Sequence, residues 1–87
     1  MKALVVEDSA INRQLLCRYV EKMGIVPLQA ETGLAGVDLF SSEHPDLVLL
    51  DIGVPDIDGF EVTRRIRKLE RPNEWTPIIF LSALNKD

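Results

Sequence analysis

Leu47-Val48-Leu49-Leu50-Asp51-Ile52-Gly53-Val54-Pro55-Asp56-Ile57-Asp58-Gly59 decides how this chain folds. Its first four residues form an unbroken apolar run, the pattern of a strand buried on both faces of a parallel sheet. Asp51 closes the run, and glycine and proline then turn the chain out of the strand. Asp58 offers a carboxylate to the helix that follows, with Glu61 three residues on in capping-box spacing. A strand, a turn and a capped helix in sequence are the opening of a βαβ unit.

The same alternation extends to both sides of this stretch. Ala3–Val6 and Ile78–Leu81 are further short apolar runs, and Ile25-Val26-Pro27-Leu28 is a weaker one. Proline cannot donate to a strand ladder, so this last run belongs at a sheet edge. Ile11 to Met23 carries Ile11, Leu15, Leu16, Val20 and Met23 at helical steps, with Ser9 or Asp8 as N-cap and Gly24 at the C-terminal turn. Thr32 to Ser41 reads as a shorter helix capped by Thr32, and Gly59 to Leu69 as a third with a Val62, Ile66, Leu69 stripe. Strand and helix alternate through four strands and three helices, which predicts an α/β domain with a parallel sheet.

At 87 residues there is room for one small domain, and a hydrophobic fraction of 46% provides a core. The net charge of -4 argues against a nucleic-acid or anionic-membrane binder and favours a cation or a basic partner. A single cysteine, Cys17, cannot form an internal disulfide and is compatible with a reducing cytoplasm. No apolar run approaches the ~20 residues that cross a bilayer, and the N-terminus turns acidic at Glu7. A cytoplasmic protein that makes no contact with membrane is expected.

In open parallel sheets, ligands bind beyond the carboxyl ends of the strands, where the strand order reverses. The first strand ends in Glu7-Asp8, the third in Asp51 and the fourth in Ser82. Neighbouring strands bring three carboxylates and a hydroxyl to one edge. Two carboxylates ~4 Å apart repel by roughly 4 kcal/mol at an effective dielectric of ~20, so protons or a cation must offset the cluster. Oxygen donors of this type suit Mg2+.

Glu7-Asp8, the Asp51–Gly59 segment and Ser82-Ala83 together resemble the receiver domain of two-component response regulators, over the whole chain. The resemblance implies a flavodoxin-like parallel sheet of order 2-1-3-4. It also implies that Asp51 accepts a phosphoryl group from a histidine kinase or a histidine phosphotransfer protein. Asp8, Asp51 and the main-chain carbonyl of Gly53 would ligate Mg2+, Glu7 would act through water, and Ser82 would hydrogen-bond the phosphoryl oxygens. Residues 1–87 would then be one receiver domain, incomplete at its C-terminus for want of the family's last helix, strand and helix. Val54 stands where methionine is usual, a change of loop packing. Lys86, four residues past Ser82, is not equated with the family's fifth-strand lysine.

Other residues have simpler readings. His44 reads as a solvated loop histidine, Cys17 as a small core residue, and Trp75 as packing for the Arg71–Pro77 loop. Arg64, Arg65, Arg67, Lys68 and Arg71 read as a solvated helix end matched to the helix dipole. A hydrolase of the haloacid dehalogenase type also uses a strand-end aspartate with Mg2+, but it needs a second aspartate where this chain has Gly53. No phosphate-cradling Gly-x-x-x-x-Gly-Lys is present. The stronger alternative is a shortened receiver that binds without switching. Its apolar Ile78–Leu81 strand would lie uncovered and draw the chain into a homo-oligomer.

Overall fold

A computed structural model describes residues 1–81. The elements run β1 (Lys2–Val6), α1 (Ala10–Lys22), β2 (Val26–Ala30), α2 (Gly33–Glu43), β3 (Leu47–Asp51), α3 (Gly59–Leu69) and β4 (Ile78–Leu81). All strands are parallel, in the order β2-β1-β3-β4. The expected fold class and strand order are therefore present, with the proline-bearing strand at one edge. The register pairs Val6 with Ala30 and Leu50, and Asp51 with Leu81.

Side chains alternate across each strand, so the sheet sorts its residues between two faces. Leu4 and Val6 of β1 and Val48 and Leu50 of β3 pack with Phe40 of α2 and with Val62 and Ile66 of α3, all fully buried. Alternation sends Ala3 and Val5 to the other face, where α1 packs on β1 and β2 and buries Cys17 and Val20. β1 thus lies in a middle layer, with α2 packed on one face and α1 on the other.

Helix ends follow the cap residues. Ser9 Oγ accepts the Asn12 N–H at 3.3 Å, Thr32 Oγ1 the Ala35 N–H at 3.1 Å, and Asp58 Oδ1 the Glu61 N–H at 2.8 Å. Gly24 follows α1 at φ 78°, a conformation that costs glycine little. Glu61 turns away from a reciprocal capping bond and takes Arg64 and Arg65 at 2.6 and 2.7 Å.

The helix expected over Ile11–Met23 is present as α1, but of its apolar residues Val20 is buried, whereas Ile11 is 80% exposed and Leu15 and Met23 are also exposed. Helical geometry explains this: Arg13, Cys17 and Val20 share the sheet-facing side, and Ile11, Leu15, Tyr19 and Met23, four apart, trace a stripe that turns away from it. His44 is not a solvated loop residue. It caps α2 at φ 43° with a side chain only 13% exposed, packs on Phe40 at 5.1 Å between ring centroids, and places Nδ1 3.1 Å from Glu74 Oε1. Trp75 is exposed and stacks on the Arg67 guanidinium, 4.6 Å from its ring centre.

Candidate metal and phosphoacceptor site

The site is built at the carboxyl ends of β1 and β3. Parallel pairing of Val6 with Leu50 leaves the next residues of both strands side by side. Glu7 and Asp8 therefore meet Asp51, and one carboxylate oxygen from each lies within 4.8 Å of the others. Glu7 and Asp51 are buried and Asp8 is exposed. The cluster accordingly has a closed floor and one wet side, an arrangement that leaves room for water around a hard cation.

Local hydrogen bonds hold the two buried carboxylates. Glu7 Oε2 accepts the Ser9 N–H at 2.9 Å, and the Glu7 carbonyl accepts from Arg13 Nη1 at 2.9 Å. Asp51 Oδ1 accepts the Gly53 N–H at 3.0 Å, which fixes the first turn of the loop after β3. Burial pushes the Glu7 carboxyl above its ordinary range, and the neighbouring Asp8 and Asp51 push it the same way against the Ser9 N–H. Crowded, partly desolvated carboxylates are the donor chemistry that Mg2+ accepts, and every candidate ligand is an oxygen.

Asp8, Glu7, Asp51 and Gly53 are thus brought together, and Val54 is buried in the core, consistent with a packing role. Ser82 lies outside the described residues, immediately after Leu81, the partner of Asp51 in the β3–β4 ladder. Asp58 serves α3 as its cap. The loop has one further fixed point with no local sequence signal, Asp56. Its Oδ1 and Oδ2 accept the N–H groups of Gly33 and Leu34, each at 2.8 Å.

Among the described residues no helix is long and apolar enough to cross a membrane. The chain matches the response regulator receiver domain family over residues 3–87. It is 44% identical over 82 residues to the transcriptional regulatory protein YxdJ of Bacillus subtilis, covering 94% of this chain and 34% of that protein. It is 34% identical over 80 residues to the polar-differentiation response regulator DivK of Brucella ovis, covering 92% of this chain and 64% of the relative. It therefore spans less than two thirds of the length of these curated relatives. A crystal structure of histidine kinase ThkA in complex with response regulator protein TrrA contains a chain 38% identical, with a TM-score of 0.81 over 94% of this chain and 68% of that one. Receiver domains are signalling modules that typically bind Mg2+ at an acidic cluster and work with histidine kinases or phosphotransfer proteins. The family match over nearly the whole chain, joined to the strand order and the acidic cluster, shows that the chain belongs to the response regulator receiver domain family of two-component signalling.

Proposed function

We propose that residues 1–87 form a phosphoacceptor receiver unit in which Asp51 takes a phosphoryl group from a phosphohistidine. The observation that carries this reading is the convergence of Glu7, Asp8 and Asp51 at the ends of two adjacent strands. Asp8, Asp51 and the Gly53 carbonyl would hold Mg2+, with Glu7 acting through water. When bound, the ion neutralises charge on the phosphoryl oxygens. A carboxylate oxygen of Asp51 attacks phosphorus, the O–P bond forms as the N–P bond breaks, and the bonding pair returns to the donor imidazole. The Ser82 hydroxyl would donate to a phosphoryl oxygen. The donor would be a histidine kinase or a histidine phosphotransfer protein, a class of partner represented in the ThkA–TrrA complex. The unit is an acceptor of the group and not a turnover enzyme.

The test is Mg2+-dependent binding of beryllofluoride together with labelling by acetyl phosphate. Wild-type protein should respond and Asp51→Asn should not. Labelling that survives Asp51→Asn, or a folded wild type that fails to respond, would reject the reading.

One observation favours the interaction module as a second reading. β4 is an edge strand among the described residues, wholly apolar, with Ile79 50% and Phe80 40% exposed. Phe60, also exposed, extends this surface through its ring contact with Phe80, centroids 5.8 Å apart. Such an edge templates pairing with another strand, and a second copy would complete it. Sedimentation at low micromolar concentration should show a dimer or larger species, and a stable monomer would dismiss this reading.

A further inference from the structure

Asp56 joins the loop that follows the acidic cluster to a different helix. The first N–H groups of a helix have no partner within it. In α2, Thr32 serves the Ala35 N–H, and no acidic residue occupies the first turn. The two remaining donors, Gly33 and Leu34, are both taken by Asp56, one on each carboxylate oxygen. Charge-assisted bonds of this kind, in a pair, set orientation as well as distance. Burial works to raise the Asp56 carboxyl, yet the Leu34 and Gly33 N–H groups hold it below its ordinary range. Gly33 makes the approach possible: a Cβ there would stand 2.7 Å from Ile57 Cγ1 and 3.2 Å from Asp56 Oδ1.

The loop between β3 and α3 is therefore fastened at four points. Gly53 N–H is held by Asp51, Val54 is buried in the core, Asp56 is clamped to α2, and Asp58 caps α3. Gly53 is held directly at the first of these points, and Asp56 fastens the same loop three residues further on.

We propose that Asp56 is a positioning residue: by clamping the loop to the N-terminus of α2 it holds the Gly53 backbone in register with Asp51, and so couples the acidic cluster to the start of α2. The metal half of this inference rests on the Mg2+ reading above, and the loop half rests on the metal-free geometry alone. Outer-shell partners of metal ligands commonly contribute about 10- to 100-fold in affinity. Coupling of this type is reciprocal, so a cation at the cluster must also steady the α2 N-terminus.

The experiment compares wild type, Asp56→Ala, Asp56→Asn and Thr32→Ala by amide hydrogen exchange and by MgCl2 titration followed at the Gly53 amide. Asp56→Ala should speed exchange about tenfold or more at Gly33, Leu34 and Gly53, and weaken Mg2+ binding about tenfold. Asp56→Asn keeps an acceptor and should fall between, and it carries the comparison if the alanine variant does not fold. Thr32→Ala removes the neighbouring cap at Ala35 but leaves the Asp56 clamp in place, and should move Gly53 exchange and Mg2+ affinity far less than Asp56→Ala does. If Asp56→Ala frees Gly33 and Leu34 but not Gly53, the positioning role is overturned. It is overturned equally if Thr32→Ala weakens Mg2+ as much as Asp56→Ala does. A wild type that ignores MgCl2 overturns the metal half, and a Gly53 amide that still responds to Asp56→Ala then upholds the loop half.

Discussion

Glu7, the residue after β1, and Asp51, the last residue of the adjacent β3, bring buried carboxylates together with ligand oxygens no more than 4.8 Å apart. At that separation two full charges repel by roughly 3 kcal/mol at an effective dielectric of ~20, which disfavours folding unless the charge is offset. Two outcomes are expected in urea denaturation at neutral pH. Glu7→Gln should stabilise the metal-free protein, because it keeps the shape and removes a charge. Saturating MgCl2 should stabilise wild type by about 2.7 kcal/mol at a hundredfold excess over Kd, and Asp51→Asn much less. An equal increment in both proteins would place the ion elsewhere.

The strands and the carboxylates were legible because their causes are local. An apolar run ending in an acid reads as a strand delivering that acid to the sheet edge, and Ser9, Thr32 and Asp58 cap helices through bonds only three residues long. Asp56 was not legible, since its partners are 22 and 23 residues away and nothing beside it signals them. The burial of His44 depends likewise on Glu74, thirty residues on, although Pro45 after it marks the helix end. In α1 the exposed stripe of Ile11, Leu15 and Tyr19 follows helical spacing as well as the buried one does, so period alone could not choose the sheet-facing side.

Gly33 is set by contact and not by backbone torsion. A methyl group there would press on Ile57 Cγ1 at 2.7 Å and Val62 Cγ2 at 2.8 Å, both between α2 and α3. Overpacking of this order costs about 1–3 kcal/mol, against the usual helical advantage of alanine. Gly33→Ala should lower the denaturation midpoint by that amount and speed exchange at the Leu34 amide. A variant as stable as wild type would show that the loop yields easily.

Glu61 carries the pH dependence of α3. Bonds from Arg64 and Arg65 hold its carboxyl down to about 2, against an ordinary value of 4.5. The folded state thus binds that proton less readily than the unfolded state, and the contribution is present above 4.5 and lost as pH falls toward 2. Wild type should exceed Glu61→Gln in denaturation midpoint at pH 7, and the gap should close by pH 2. Because the pair is exposed, 1 M NaCl should narrow it too. A gap that is independent of pH would trace to helix propensity instead.

His44 and Glu74 tie the end of α2 to the loop that feeds β4. Glu74 also accepts the Arg71 N–H at 2.8 Å, so one carboxylate closes its own turn and reaches across to the helix. His44 adds ring packing on Phe40 and the left-handed turn that ends α2. His44→Ala loses packing, bond and a tolerable left-handed residue together, and should cost about 1–3 kcal/mol. His44→Gly relieves the torsion and should cost less than His44→Ala, even though it removes the same side chain. A double-mutant cycle of His44→Ala with Glu74→Ala isolates the bond, with an expected coupling of about 0.5–1.5 kcal/mol. Coupling near zero would show that packing and torsion, rather than the carboxylate, keep this end of the helix closed.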